Sequence, residues 1–129
     1  MTIIPEVAAL VPQMKAWRHH LHAHPETAFE EVATGAFVAA ELRLLGLDVH
    51  TGLAKTGVVG VLSAGDRGAA IGLRADLDAL HIHEKTGIAH ASRHEGRMHA
   101  CGHDGHAAML LGAAAALAQR RNCAGTVHF

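Results

Sequence analysis

The sequence has little of several features that mark other classes of protein. It has no tyrosine, only 3% aromatic residues, and two cysteines, Cys101 and Cys123. Two cysteines are too few for a disulfide scaffold, so we expect a reducing compartment, the cytoplasm. Neither sign of charge is in excess, with 11 Lys+Arg against 12 Asp+Glu. We therefore expect no nucleic-acid partner, because nucleic-acid-binding domains usually carry a basic surface.

Signals for membranes and nucleotides are also missing from the sequence. The longest apolar run, Ala107 to Ala118, is well short of the roughly 20 residues that cross a bilayer. The first six residues lack the basic start and apolar stretch of a signal peptide. The glycines between Gly52 and Gly60 follow neither the dinucleotide spacing nor the Walker spacing. These absences predict no membrane partner and no phosphate loop.

Histidine is abundant, with 13 residues in a chain of 129. The length suits a single domain, since domains most often have about 100–150 residues. Imidazole is a metal ligand and a proton carrier, so this excess calls for a chemical explanation.

Apolar periodicity predicts three helices. They run from Pro5 to His22, from Thr27 or Glu30 to Leu45, and from Gly105 to Arg121. Acidic Glu30 and Glu31 suit the first turn of the second helix, and Gly46 suits its C-terminal cap. The third helix is apolar enough in its middle to be largely buried.

Short apolar segments predict strands between and after these helices. The candidates are residues 47–50, 57–62, 69–75 and 126–129. The turn cluster at 65–68 predicts that the second and third strands form a hairpin, the third being buried. Residues 76–104 show no periodicity, and so long a loop is usually functional or disordered. The prediction is one α/β domain with a mixed sheet flanked by helices.

Two carboxylates, Asp76 and Asp78, follow the predicted buried strand. Ligands of open α/β sheets gather at the carboxyl ends of strands, which favours a functional site there. The alternative is a turn with solvated acids.

A denser cluster, His99-Ala-Cys-Gly-His-Asp-Gly-His106, precedes the third helix. Thiolate and imidazole are ligands of zinc and similar divalent ions, and Cys101 and His103 share one short loop. A structural zinc finger would need a second pair with similar spacing, which does not follow. A cysteine nucleophile with a histidine base, or an inert buried thiol with surface histidines, are the alternatives. A third group of histidines, at positions 19, 20, 22 and 24, is interpreted mostly as surface or hydrogen-bonding residues.

Three motifs in order carry a family resemblance: RHHLHAHPE at 18–26, GLRADLDAL at 72–80 and MHACGHDGH at 98–106. With them the chain resembles the amidohydrolase branch of the aminoacylase/carboxypeptidase-type dinuclear metallopeptidases. That branch includes hippurate hydrolase, the auxin–amino-acid conjugate hydrolases and N-acetyl-diaminopimelate deacetylase. The resemblance implies the N-terminal part of the catalytic domain, without the inserted lid and dimerisation domain.

The resemblance also implies a set of site residues. Cys101 and His103 match metal ligands, with the cysteine bridging two divalent ions that could be Mn, Zn, Co or Ni. Asp78 matches an acid that orients a ligand. Asp76 stands where the wider family has a metal-binding histidine. Asp76, Asp104 and His106 are expected to contact the metal ligands from behind or to contact the substrate.

The implied reaction is metal-assisted hydrolysis of the amide bond of N-acyl amino acids such as hippurate. The general-base glutamate lies in a Gln-Pro-x-Glu-Glu motif expected beyond Phe129. Residues 1–129 are therefore expected to be a truncated catalytic domain, inactive alone, of a protein that forms homo-oligomers when complete. The sheet that ends at Phe129 is expected to be incomplete and to leave an open strand edge and unburied apolar surface. The alternative is a non-enzymatic remnant, or a fragment that binds metal weakly or associates with another chain.

Overall fold

The computed structural model describes residues 4–65, 68–121 and 124–129. Cys123 and the middle of the turn predicted at 65–68 lie outside these ranges. In chain order the elements are α1 (Pro5–Ala23), α2 (Val32–Leu44), β1 (Asp48–Leu53), β2 (Gly57–Ala64), β3 (Ala70–Gly72), α3 (His103–Arg120) and β4 (Gly125–His128). The predicted α/β class with a mixed sheet is confirmed. None of the described helices is long and apolar enough to cross a membrane.

The first helix forms close to its predicted bounds. Pro5 occupies its first turn, where a missing backbone N–H costs nothing. The helix ends at Ala23 because the residue before Pro25 is pushed out of the helical region. Trp17 and Leu21 are buried, whereas Val11 of the predicted apolar stripe is half exposed. The buried residues of α1 therefore lie in its C-terminal half, and the helix packs against α3.

The second helix begins later than predicted, at Val32. Glu30 and Glu31 precede it, so their predicted place in its first turn is wrong. The carboxylate of Glu26 instead accepts the backbone N–H of Thr34, at 2.7 Å, and so satisfies a free donor at the start of the helix. Gly46 has φ 80° just after the helix, which confirms the predicted cap.

The sheet has the strand order β1-β2-β4-β3. Strands β1, β2 and β4 pair antiparallel in turn, and β3 pairs parallel with β4. The predicted hairpin between the second and third strands is wrong because β4 lies between them. The third strand is also shorter and more exposed than predicted: it covers only Ala70–Gly72, and Ile71 is 55% exposed at the edge of the sheet.

Among the described residues, the expected open strand edge with exposed apolar surface is found at β3, where Ile71 is exposed, and not at the strand that leads to Phe129. Strand β4 has a neighbour on each side, and Phe129 is buried. Its backbone N–H donates to the carbonyl of Gly60 at 2.8 Å, and the N–H of Gly60 donates back at 2.9 Å. A Cβ on Gly60 would stand 3.1 Å from the side chains of Leu42 and Leu47, so glycine allows α2 to lie close to β2.

The long loop after Leu80 has little regular structure, as predicted, but tertiary contacts fix its position. Leu80 and Met98 form an isolated antiparallel bridge that closes the loop at its base. Farther out, the N–H of Arg93 donates to the carbonyl of Ala23 at the end of α1. The loop thus lies against the C-terminal end of α1, beside the start of α3.

Candidate functional site

The segment after β3 supplies one side of the candidate site. The carboxylate of Asp76 pairs with Arg74, its near neighbour in the chain. Asp78 reaches the start of α3, where both its backbone carbonyl and its carboxylate contact Nδ1 of His103, at 2.9 and 3.1 Å. The structure therefore brings Asp78, but not Asp76, into hydrogen-bonding contact with a predicted metal ligand.

The turn of Cys101, Gly102 and His103 supplies the other side. Gly102 adopts φ 95°, a left-handed conformation that strains any residue with a Cβ, and α3 begins at His103. Cys101 is an exposed free thiol. Gly105, where the third helix was predicted to begin, lies inside α3, which starts two residues earlier.

The contacts of His103 determine which of its ring nitrogens can bind a metal. Both groups of Asp78 that face Nδ1 are hydrogen-bond acceptors, so Nδ1 carries the proton and donates. The lone pair is then on Nε2. Metal-binding histidines in proteins commonly have this arrangement, with a carboxylate or carbonyl fixing the tautomer. Cys101 is two residues before His103 in the chain. Together its thiol and Nε2 of His103 are a donor set that fits a divalent ion of the zinc type.

These donors alone do not make a complete metal centre. Within residues 4–65, 68–121 and 124–129, no three His, Cys, Asp or Glu side chains are grouped closely enough to hold one ion. Cys101 and His103 therefore form a partial donor set, which further ligands would have to complete.

Asp104, directly after His103, faces away from it into the protein. Its side chain is fully buried, and its Oδ2 contacts Nδ1 of His22 at 2.8 Å and Nε of Arg18 at 3.2 Å. Burial opposes its ionisation, but the hydrogen bonds from His22 and the backbone of Gly105 outweigh it and hold the carboxyl pKa below its ordinary value. Asp104 thus joins α3 to α1 as a buried carboxylate.

Glu84 of the long loop meets the same histidine from the opposite side. Its Oε1 lies 3.2 Å from Nε2 of His22 and also accepts the hydroxyl of Thr86, while its Oε2 accepts the N–H of Ser92 at 2.6 Å. Burial would raise the pKa of Glu84, but these hydrogen bonds outweigh it and lower that pKa. His22 thus lies between two buried carboxylates, one facing each of its ring nitrogens.

His99 is buried in the same region, and its ring centroid lies 6.4 Å from that of His22. Neither of its ring nitrogens has a hydrogen-bond partner among the described residues. Burial lowers the pKa of this imidazole, with an opposing contribution from Asp104. His99 is therefore a neutral side chain packed behind the turn.

His106, the last residue of the motif, is exposed on the first turns of α3, with its ring 5.8 Å from that of His103. A cavity of about 700 Å³ lies elsewhere in the described region, between α2, α3 and the sheet. Asp76 and Asp78 line it, but Cys101 and His103 do not. Asp78 thus contacts His103 of the partial donor set and also lines the cavity.

Two residues of this region were missed by the sequence analysis. His22 was grouped with surface or hydrogen-bonding histidines, and Glu84 was not singled out. A signal for His22 exists: it lies four residues after Arg18, on the same face of α1, and both contact Asp104. No comparable signal marks Glu84, because it lies in a loop without periodicity.

A known protein family matches the part of the chain that contains the second and third motifs, at 72–80 and 98–106. Residues 72–129, from the end of β3 to Phe129, match the family model "Peptidase family M20/M25/M40". This stretch contains Asp78, Cys101 and His103.

Individual proteins resemble the chain over almost its whole length. The hippurate hydrolase of Campylobacter jejuni is 46% identical over 93% of this chain and 31% of its own. An N-acyl-L-amino acid amidohydrolase of Geobacillus stearothermophilus is 45% identical over 91% of this chain and 33% of its own. The crystal structure of a dinuclear metal-binding peptidase of the M20 family from Bacillus subtilis superposes with a TM-score of 0.89 at 40% identity, over 95% of this chain and 35% of that one. The chain thus spans about a third of the length of these relatives.

Proposed function

Because the chain belongs to the peptidase family M20/M25/M40, we propose that it forms the N-terminal, metal-binding part of a metal-dependent amidohydrolase. The proposed reaction is hydrolysis of the amide bond of N-acyl amino acids, the substrate class named for the relatives from C. jejuni and G. stearothermophilus. The observation that carries the proposal is the contact of Asp78 with Nδ1 of His103, beside the exposed thiol of Cys101.

In this proposal Cys101 and His103 would supply ligands to the two divalent ions of the complete site. The chemistry that such ions supply when bound is polarisation of the amide carbonyl and activation of water near neutral pH. Asp78 keeps the proton of His103 on Nδ1 and so keeps Nε2 available as a ligand. The metals we propose are Mn, Zn, Co or Ni, since this donor set suits several ions.

We further propose that residues 1–129 are part of a longer catalytic domain. The partial donor set and the chain's one-third share of its relatives' length support this. The general base would be a glutamate outside the chain, so the 129 residues alone would have negligible hydrolase activity. A homo-oligomer is proposed for the complete protein. The free thiol of Cys101 supports a reducing compartment such as the cytoplasm.

The test compares the 129-residue chain with a longer gene product that contains it. Both are assayed on hippurate and a panel of N-acetyl and N-benzoyl amino acids, with Mn²⁺, Zn²⁺ or Co²⁺ added and with a chelator. We expect chelator-sensitive amide cleavage by the longer product and none by the 129-residue chain. No metal-dependent cleavage by the longer product would refute the amidohydrolase proposal, and turnover by the short chain would refute its inactivity.

One observation favours a second candidate, a chain that binds metal or a partner without catalysis. Among the described residues the donor set is incomplete, while apolar residues such as Ile71 at the sheet edge are exposed. If the reading frame stops after Phe129, the 129-residue chain is the whole product and this second candidate replaces the first.

A further inference from the structure

At Gly102, no side chain fixes the orientation of the turn formed by Cys101, Gly102 and His103. Gly102 precedes α3 in a left-handed conformation and provides no side chain to cap the helix. Its carbonyl accepts the N–H groups of Gly105 and His106, at 3.0 and 3.1 Å, which closes the first turn. Glycine leaves the chain free to rotate at this point, so contacts with other segments must fix the direction in which the turn faces.

Two consecutive residues of that turn make those contacts, with partners in different segments. His103 bonds to Asp78, which follows β3, and the buried Asp104 bonds to His22 of α1. Asp104 has two partners on α1, but the side chain of Arg18 is 53% exposed while that of His22 is only 6% exposed. A buried charged contact is screened far less than an exposed one, so His22 is the stronger of the two anchors.

His22 is itself held in place from behind. Glu84 contacts its other ring nitrogen, and the side chain of Glu84 is only 4% exposed. Glu84 is in turn fixed by the N–H of Ser92 and the hydroxyl of Thr86. The imidazole therefore joins three segments that are distant in sequence: α1, the long loop and the first turn of α3.

We propose that His22 is a positioning residue for the metal ligands, acting through Asp104 to fix the direction of the turn that carries Cys101 and His103. This inference rests on the proposed function, because it assigns His22 to the metal site proposed above. Without His22, Asp104 keeps only the half-exposed Arg18, and the first turn of α3 can rotate about Gly102. His103 then loses its alignment with Asp78.

Two conservative variants separate the contacts of His22. In His22→Asn the amide nitrogen stands near the position of Nδ1 and can still donate to Asp104. In His22→Gln it stands near Nε2 and can donate only to Glu84. His20→Asn is the matched control, since His20 lies on the same helix but is exposed. The proposal predicts that Asn preserves the site and Gln does not.

The first measurement is made without metal. In ¹⁵N NMR spectra of the 129-residue chain, the Nδ1 resonance of His103 reports its hydrogen bond to Asp78. We expect His22→Gln to shift this resonance, and His22→Asn and His20→Asn to leave it unchanged. General destabilisation would lower the Tm without changing the resonance of the folded molecules. If His22→Gln folds and the resonance does not move, the proposal is wrong.

The second measurement uses Co²⁺, whose absorption includes a thiolate charge-transfer band when a cysteine is a ligand. We expect His22→Gln to weaken Co²⁺ binding by roughly 10- to 100-fold, as for other residues that orient metal ligands. His22→Asn should stay within about threefold of the parent chain, in line with a preserved contact to Asp104. Equal affinity of His22→Gln and the parent would also overturn the proposal.

The two measurements separate the failure of this inference from that of the proposed function. A parent chain that shows no thiolate–Co²⁺ band contradicts Cys101 as a ligand, while the metal-free spectra still decide whether His22 orients His103. If His22→Gln does not fold, Asp104→Asn serves instead, because it weakens the same contact from the other side. The resonance of His103 should then shift in the same direction, and an unchanged resonance would again refute the role.

Discussion

Residues 19–24 and residues 99–106 are both rich in histidine, with four and three of them respectively, yet the structure uses them differently. In the first segment three imidazoles lie at or near the surface, and only His22 is buried between two carboxylates. In the second, His103 and Asp104 are each held by a partner more than 20 residues away in the chain. The role of a histidine in this chain is therefore indicated by its hydrogen-bond partner and not by the number of histidines near it in the sequence.

The largest expected effect comes from removing the proposed ligands. We expect Cys101→Ala and His103→Ala each to weaken Zn²⁺ or Co²⁺ binding by roughly 100-fold or more, exceeding the loss typical for residues behind the ligands. The affinity is measured by competition with a chromophoric chelator. His24→Ala, in the other histidine-rich segment, is the control and should bind as the parent does. Equal losses in all three variants would remove the contrast between the two segments.

The next largest effect on metal affinity is expected at the aspartates that follow β3. Asp78→Asn leaves a side chain of the same shape but removes the charge that faces Nδ1 of His103. We expect roughly tenfold weaker metal binding, at the lower end for such residues, because the backbone carbonyl of residue 78 still accepts a hydrogen bond from Nδ1–H of His103.

Asp76→Asn is the matched control for that change, since Asp76 pairs with Arg74 and not with His103. Its effect on metal affinity should be smaller than that of Asp78→Asn. A larger effect would mean that Asp76 takes part in the site more directly than its contacts indicate.

A smaller effect, on stability, is expected at Glu84. The pKa of Glu84 is lowered in the folded chain, so its contribution to the free energy of unfolding is present above the ordinary carboxyl value of 4.5 and is lost as the pH falls through the folded value. Glu84→Gln should therefore cost about 1.5 kcal/mol at pH 7, from a hydrogen bond to a charged group, and less in acid.

Urea unfolding at pH 7 and at progressively lower pH measures this dependence. The control is Glu95→Gln, at an exposed position of the same loop. The two variants should differ at pH 7 and converge in acid. A difference that persists unchanged to the lowest pH would contradict a lowered pKa at Glu84.

The smallest effects are expected for His20 of α1 and for His24, the residue directly after that helix. His20→Asn and His24→Asn should each change the free energy of unfolding by no more than about 0.5 kcal/mol, as is usual for surface positions. Thermal or urea unfolding checks this. A cost at His24 as large as that at Glu84 would show that the surface histidines also anchor the long loop.

Local patterns predicted the elements of this fold better than their arrangement. Apolar spacing located α1 and α3, and Gly46 marked the end of α2, because these signals act within a few residues. The pairing of β4 between β2 and β3 could not be predicted locally, since the partners of β4 are more than 50 residues earlier in the chain. The first turn of α2 was misplaced because Glu26, well before the helix, satisfies its free N–H groups.

The residues of the candidate site also differ in how far they could be predicted from the sequence. Cys101 and His103 could be selected from the sequence because two ligand-type residues in one short motif are rare by chance. His22 and Glu84 could not, since His22 contacts Asp104 across 82 residues of the chain and Glu84 across 62. A buried network of this kind leaves no periodic trace in the sequence, as its members come from a helix, a loop and a helix start.

The central position of β4 has a consequence for how this region folds. Strands β2 and β3 are separated in the sheet by the last strand of the described chain, so neither can complete its pairing until residues 125–128 have been synthesised. Such non-local pairing requires closure of a long loop and slows folding. On the ribosome, α1 and α2 therefore have time to form while the apolar edges of β2 and β3 are still unpaired. This is the interval in which the nascent chain would be most prone to aggregate or to bind a chaperone.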